Sequence, residues 1–478
     1  MLLPRYIYGI YVMEMLRKSR YNVPIIIRKN NTNTCSIVMA NRFVILLIVF
    51  GKARSPMHSR CGIQQCLYTS ETTKEISQKT EQNLLIAQIA RLVRREDLKR
   101  LQTTGFACDI AQHSVVCVTN QPVLIDTTRN ITVHIPTNQT VQEEKTVKPY
   151  ARQEDKYLLQ YIKPVKILLH GNITAPVCQY NHQIPAVIFS SGLTGNLFHE
   201  FNDIIIPLFI TIKHFKSRVI LILEDYNPTF LSKYSKIMSR LSVYDVMDPA
   251  ANRSVHCFPV GLKYHDNLAI NSSEIPGGYS MPDFRQFLGE TYNLKYNHVS
   301  QIKTPTLMLI SREKTRKFLN EDEITNMMKD VGFRVIIVKT QELSNLNKVA
   351  NVVNSCSVLV GVHGAGLTNE LFLPAGGVTV QVEALGLEWA SAAYFGDPAG
   401  GMGLNYLRYK ITPEESSLVK LYGRNHSVIM DPMSVFAKGY RAARAVFVDQ
   451  QDVRVDVVRF RETIVMAYQM VRNSSFVR

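Results

Sequence analysis

A chain of 478 residues with 46% hydrophobic content is long enough for two ordinary domains and a tail. Its formal net charge of +16 invites a nucleic-acid reading, but residues 1–104 hold 17 Lys and Arg against 6 Asp and Glu, so the basic excess belongs to the head of the chain. With no zinc-finger, RNP or basic-heptad pattern anywhere, nucleic acid is excluded as a partner.

In chain order, residues 1–34 form a basic tail. Residues 35–51 hold the best membrane candidate, Ser36–Ala40 and Phe43–Phe50, interrupted by Asn41 and Arg42. A span needs about 20 apolar residues, and this one is short; the alternative to an uncleaved signal-anchor is a buried strand. Arg5, Arg17, Lys18, Arg20, Arg28 and Lys29 precede it, which leaves the tail cytoplasmic and the body luminal. Polar residues 52–80 read as a stem, continued to 104 by an amphipathic helix over 81–101.

The body divides into 105–295 and 296–478. Apolar strand patterns fall at 114–118, 123–125, 131–135, 165–169, 186–189 and 218–223, with a helical pattern at 196–212. A second set falls at 306–310, 334–338, 357–360 and 378–382, with helices at 321–331 and 345–354 and a closing helix at 455–471. Alternating strand and helix predicts parallel sheets, hence an α/β fold of two Rossmann-like domains facing a cleft.

Seven N-x-[ST] sequons lie beyond the apolar segment, at Asn130, Asn138, Asn172, Asn252, Asn271, Asn425 and Asn473, and suit luminal exposure. The eight cysteines show no paired zinc spacing. Cys108 and Cys117 close a short loop and form the best disulfide candidate; two free core thiols are the alternative.

Chemistry concentrates at four places. Ser357–Asn369 reads as a buried strand, a small-residue loop (His363, Gly364, Ala365, Gly366, Leu367) and a helix start at Thr368 and Asn369. Free N–H groups at such a helix start suit a diphosphate, and Glu383 at the end of the next strand suits ribose hydroxyls. The third glycine of a dinucleotide fingerprint is replaced by Asn369, and a plain strand–helix turn is the bland reading. Arg312 and Arg316 follow the 306–310 strand, where guanidinium groups could take phosphate oxygens or form a solvated basic loop. His199 and Asp203 share one helix face and could act as a base with its carboxylate, or as a cap and a solvated side chain. The fourth place is Trp389, the only tryptophan, which reads as packing in preference to a sugar platform. No Asp-x-Asp occurs, which predicts that neither a metal nor another cofactor is required.

The run His363–Asn369 followed by Phe372-Leu373-Pro374 resembles the donor-site motif of family 61 glycosyltransferases, in particular the plant branch that decorates xylan with arabinose or xylose. The Asn196…His199…Asp203 element, the Ser311-Arg312…Arg316…Asn320-Glu321 element and the segments around Tyr394–Ala399 and Gln451–Val453 are similar to that family too. Between Pro259 and Gly261 this chain is shorter than the family pattern. The resemblance implies a GT-B-like fold and an inverting Golgi transferase with a luminal catalytic body. Its donor would be a UDP-sugar and its acceptor a polysaccharide or other glycan. It also implies Arg312, Arg316 and the 363–369 loop at the nucleotide sugar, with His199 and Asp203 at the acceptor. Two rival readings are a xylosyl- or N-acetylglucosaminyltransferase acting on glycoproteins and an inactive nucleotide-sugar-binding partner of a Golgi complex.

Overall fold

The structure is a computed structural model. It describes residues 80, 82–93, 95–110, 115–136, 143–153, 155–171, 175–192, 194–251, 253–263 and 278–474, and the backbone of three strands nearer the start. The chain forms two compact units, residues 1–77 and 78–478. In the first, β1 (Ile25–Lys29), β2 (Cys35–Asn41) and β3 (Val44–Val49) make an antiparallel sheet. The segment expected as a signal-anchor, 35–51, is therefore strand wherever it is described. The polar pair Asn41-Arg42 leaves no apolar run longer than the eight residues 43–50, and β-branched Ile37, Val38, Val44, Ile45, Ile48 and Val49 favour extended backbone. No helix among the described residues is long and apolar enough to cross a membrane.

Among the described residues, the second unit contains three sheets. Strands β4 (Phe106–Ile110), β5 (Val115–Thr119), β6 (Val123–Asp126), β7 (Thr132–Pro136), β8 (Glu143–Val147), β9 (Val165–His170), β10 (Tyr180–Asn181), β11 (Ala186–Phe189), β12 (Ile220–Leu223), β13 (Val255–Phe258) and β14 (Gly261–Lys263) build two of them. Their orders are β10-β13-β6-β7-β9-β8 and β12-β11-β14-β5-β4. The third contains β15 (Thr306–Ser311), β16 (Arg334–Lys339), β17 (Val358–Val362), β18 (Val378–Glu383) and β19 (Asn405–Lys410), all parallel, in the order β16-β15-β17-β18-β19.

The all-parallel third sheet follows from the helices between its strands. The first two sheets are mixed, which departs from the parallel arrangement that alternation alone predicts. Strands β4 and β5, and likewise β6 and β7, follow each other too closely for a crossover helix, and each of these two pairs is antiparallel. Strands β8 and β19, which the apolar patterning passes over, are sheet edges, where charged residues such as Glu143, Glu144, Lys145, Arg408 and Lys410 are tolerated.

Side-chain alternation assigns the cores. In β11, Ala186 and Ile188 face the six-stranded sheet, while Val187 and Phe189 join a large core shared with the helices. In β15, Met308 and Ile310 enter that same core, whereas Leu307 and Leu309 face the far side of the parallel sheet. One continuous core therefore runs between the early strands and the parallel sheet.

Helix α1 (Arg95–Thr104) follows a helical stretch at 82–90. A turn at 91–93 separates the two, and α1 opens on Arg95 at φ +50°, outside helical geometry. Later come α2 (Leu197–His199), α3 (Ile206–Ile212), α4 (Met281–Tyr292), α5 (Glu321–Val331), α6 (Leu346–Asn354) and α7 (Val457–Ser474). Helix α7 packs on α5, β18 and β19, and Phe460, Ile464, Ala467 and Val471 close the far core of the parallel sheet.

Candidate active site

Strand β17 is buried throughout and runs into Gly364, whose φ of +151° favours glycine. A Cβ there would lie 2.7 Å from a terminal nitrogen of Arg312 and 3.0 Å from one of Arg316. Both arginines thus close over the loop backbone. The Arg312 Nε donates to the Thr315 carbonyl (2.7 Å), and an Arg316 terminal nitrogen donates to the His363 carbonyl (2.7 Å). Arg316 itself adopts φ +54°, a strained conformation for a side-chain-bearing residue.

The electrostatics of this corner are lopsided. Burial lowers the pKa of Arg312, and burial together with Arg312 pushes Arg316 down to about 10. The nearest acids are engaged elsewhere, Asp452 with Lys317 and Asp449 with Arg444. The buried Nε of Arg316 has no hydrogen-bond partner. Two desolvated cations side by side with a spare donor have the chemistry to take an anion, because guanidinium pairs with phosphate oxygens through parallel N–H bonds. Beside them, burial and then Arg316 and Arg312 push His363 down to about 3, so its ring is neutral at pH 7. The Gln381 amide nitrogen lies 2.8 Å from His363 Nδ1 and 2.7 Å from the Ser391 hydroxyl, and Tyr406 donates to the Gln381 oxygen (2.9 Å). With that amide donating, the His363 proton resides on Nε2.

The helix after Gly364 is a 3-10 helix, Ala365–Phe372, buried from Gly366 onward. Leu367 belongs to the core, and the Asn369 amide donates to the Gly366 carbonyl (2.9 Å). Thr368 is buried too. These three shape the loop from behind, and the expectation of ligand contact moves to Gly364 and its arginines. Glu383 also differs from expectation. It is 1% exposed at the end of β18, and its two oxygens accept from the Nε (2.6 Å) and a terminal nitrogen (3.1 Å) of Arg408 on the neighbouring strand. This internal ion pair holds its carboxylate.

The second group of residues follows β11. Asn196 caps α2 by accepting from the Phe198 N–H (3.0 Å). The helix then widens into a π turn, Glu200–Ile205. Pro207 has no N–H to offer the Asp203 carbonyl four residues back, which accounts for the irregular ladder. His199 Nδ1 lies 2.8 Å from an Asp203 oxygen that also accepts from the Tyr150 hydroxyl (2.9 Å), while the Asn202 amide donates to the other oxygen (2.5 Å). Asp203 is fully buried; His199 is 28% exposed. Nδ1–H therefore points at the carboxylate, and Nε2 is the nitrogen left to act on a ligand. Arg152, at φ +59°, brings a terminal nitrogen within 3.2 Å of the same ring nitrogen. Tyr150 is placed by Gly192: a Cβ there would fall 2.2 Å from the tyrosine ring. Asp225 holds this loop by accepting from the Ser190 and Ser191 hydroxyls and from the N–H groups of Ser191 and Gly192.

Aromatic side chains connect the two groups. Tyr394 packs at 4.7 Å from Phe198 and 6.5 Å from His363, and Phe395 lies 5.8 Å and 5.7 Å from the same two rings. Tyr394 also stands beside Arg152. Arg152, Tyr150, Tyr394 and Gln381 carry no spacing signal of their own; they belong to the site because the fold delivers them. Among the described residues no group of three or more His, Cys, Asp or Glu side chains is placed to hold a metal ion.

Cys108 and Cys117, opposite one another on β4 and β5, are joined in a disulfide, and Cys178 is joined to Cys257. Of the sequons, Asn130, Asn425 and Asn473 are exposed. Asn138, Asn172, Asn252 and Asn271 lie outside the described residues.

The family model for Glycosyltransferase 61 matches residues 197–380, from α2 into β18. The xylan glycosyltransferase MUCI21 of Arabidopsis thaliana is 33% identical over 402 residues, 78% of this chain and 80% of that one. The chain belongs to glycosyltransferase family 61. A beta-1,2-xylosyltransferase, XYXT1, of Oryza sativa subsp. japonica is 36% identical over 68% of this family 61 chain and 72% of its own. From the same organism, the alpha-1,3-arabinosyltransferase XAT3 is 40% identical over 67% of this chain, a match that spans 57% of the rice protein. As a member of family 61, the chain is a glycosyltransferase.

Proposed function

We propose that this glycosyltransferase moves a pentose, arabinose or xylose, from a UDP-sugar to a xylan-type polysaccharide, with inversion at the anomeric carbon. The observation that carries this reading is the buried pair Arg312 and Arg316 closed over Gly364, with the neighbouring acids paired to Lys317 and Arg444, facing the His199–Asp203 pair across Tyr394 and Phe395. The printed activities of the rice and Arabidopsis relatives support the pentose and the xylan.

In the proposed reaction, His199 Nε2 takes the proton of an acceptor hydroxyl while Asp203 steadies the imidazolium that forms. The acceptor oxygen bonds to the anomeric carbon as the bond from that carbon to UDP breaks. The diphosphate leaves with the bonding electron pair, and Arg312 and Arg316 meet its charge. The parallel sheet serves the donor and the mixed sheets the acceptor, a GT-B-like division at about residue 295. No metal or other cofactor enters this scheme, since guanidinium supplies the positive charge. A luminal setting, in the Golgi, is supported by the two disulfides and by exposed Asn130, Asn425 and Asn473.

The test is UDP release from UDP-arabinose, UDP-xylose and UDP-N-acetylglucosamine, with xylo-oligosaccharide and N-glycan peptide acceptors. Release from a UDP-pentose that depends on the xylo-oligosaccharide is expected. Release only with UDP-N-acetylglucosamine and glycopeptide overturns the reading. Under the same assay, EDTA should leave most of the activity; complete loss restored by manganese would put a metal, not Arg312 and Arg316, at the diphosphate.

A further inference from the structure

Four large aromatic side chains stand exposed on the rim of the site: Trp389 (52% exposed), Tyr440 (63%), Tyr157 (49%) and Tyr161 (59%). Exposed aromatics of this size usually pack away, and a group of them beside a reactive centre marks a contact surface. Their positions form a sequence. Trp389 stands edge-on to Tyr394 at 5.9 Å, and Tyr394 covers Phe198, the neighbour of His199. Tyr440 lies near enough to Tyr394 and Arg316 to act on the charge of both. The next residue, Arg441, places its guanidinium 4.7 Å from the Tyr157 ring, and Tyr157 meets Tyr161 edge to face at 5.5 Å with their hydroxyls 3.1 Å apart.

We infer that these rings form an extended acceptor platform on which successive pyranose rings of a polysaccharide stack, with Trp389 and Tyr440 nearest the transfer point and Tyr157 and Tyr161 farther out. The proposal rests on the transferase reading above and adds to it the binding of a chain of sugars instead of one sugar. A sugar ring presents an apolar C–H face to an aromatic face and hydroxyls at its edge, which tyrosine hydroxyls and arginine can bond. Stacking needs rings that stay in place. Arg441 over Tyr157 and the Tyr157–Tyr161 pair pin the outer pair, and Phe436, 6.1 Å from Trp389, supports the indole.

Because Trp389 is the only tryptophan, its emission reports on the platform directly. Full-length protein with UDP is titrated with β-1,4-linked xylohexaose, xylobiose and cellohexaose, and emission is read beside turnover. Xylohexaose should shift and quench the emission over the same concentrations that saturate turnover. In Tyr157→Ala and Tyr161→Ala the KM for xylohexaose should rise about tenfold, with a clearly smaller rise for xylobiose, which is too short to reach the outer rings, since one lost stacking contact corresponds to about a factor of ten. UDP affinity and melting temperature should stay at wild-type values, because all four rings are at the surface. Unchanged emission at saturating xylohexaose, with unchanged KM in both variants, overturns the platform and leaves the transferase reading intact. A shift with cellohexaose and none with xylohexaose supports the platform and overturns xylan as acceptor. Loss of UDP binding in the unmutated protein would strike the transferase reading itself.

Discussion

At the scale of single residues, the proposed reaction divides the site into groups that would hold charge and a group that would move a proton. If Arg312 and Arg316 meet the diphosphate, Arg312→Ala or Arg316→Ala removes a charge-assisted contact worth about 1.5–3 kcal/mol. UDP affinity, measured by calorimetry, should then fall about ten- to a hundredfold. In contrast, His199→Ala should leave UDP affinity nearly intact and cut turnover by about 10² or more, the scale of lost general-base help. Wild-type melting of His199→Ala is the control, because His199 lies against a fully buried Asp203. An active His199→Ala together with normal UDP binding in Arg316→Ala would remove both assignments.

His363 makes a separate prediction about pH. Its folded value, about 3, lies below the ordinary 6.5, so the unfolded chain takes up the proton first as pH falls. Stability is therefore whole above pH 6.5 and is lost as the pH falls toward 3, by about 1.4 kcal/mol per pH unit from this group. His363→Gln should flatten that acid limb by one proton's worth, read from melting temperature against pH. A slope equal to wild type would mean that His363 already titrates in the fold.

At the scale of elements, the strand-to-loop passage at Gly364 is the tightest point of the site. The backbone at φ +151° and the Arg312 terminal nitrogen 2.7 Å from any added Cβ leave no room for a methyl group. Gly364→Ala should therefore displace Arg312 and weaken UDP binding about as much as losing the arginine itself, ten- to a hundredfold. Because β17 and the buried 3-10 helix hold the loop from behind, the protein should still fold, as circular dichroism would show. Wild-type UDP affinity in Gly364→Ala would place the diphosphate elsewhere.

At the scale of the whole molecule, two covalent links brace the mixed sheets. Cys178–Cys257 closes a separation of 79 residues and Cys108–Cys117 one of 9. By loop-closure entropy the long link contributes about 4 kcal/mol and the short one under about 3. Cys178→Ala should thus lower the denaturation midpoint more than Cys108→Ala, and reductant should abolish the difference. Equal midpoints would show that local strain or residual unfolded structure dominates over loop length.

Much of this molecule is legible in its residues before any partner is known. Apolar β-branched runs mark the buried strands because each residue there must satisfy two faces of a sheet, a requirement written locally. The glycine loop, the helix-face pairing of His199 with Asp203, and Arg312 at a strand end are legible for the same reason: their geometry is set within a few residues. The roles of Glu383, Arg152, Tyr394 and Asn369 are not. Whether a carboxylate at the end of β18 awaits a ribose depends on what β19 brings beside it, and β19 brings Arg408. Arg152 reaches His199 from 47 residues away, and Tyr394 meets Phe198 from a far later part of the chain. Such partners are chosen by packing between distant segments, where distance and burial set the energy, so only the tertiary structure decides them.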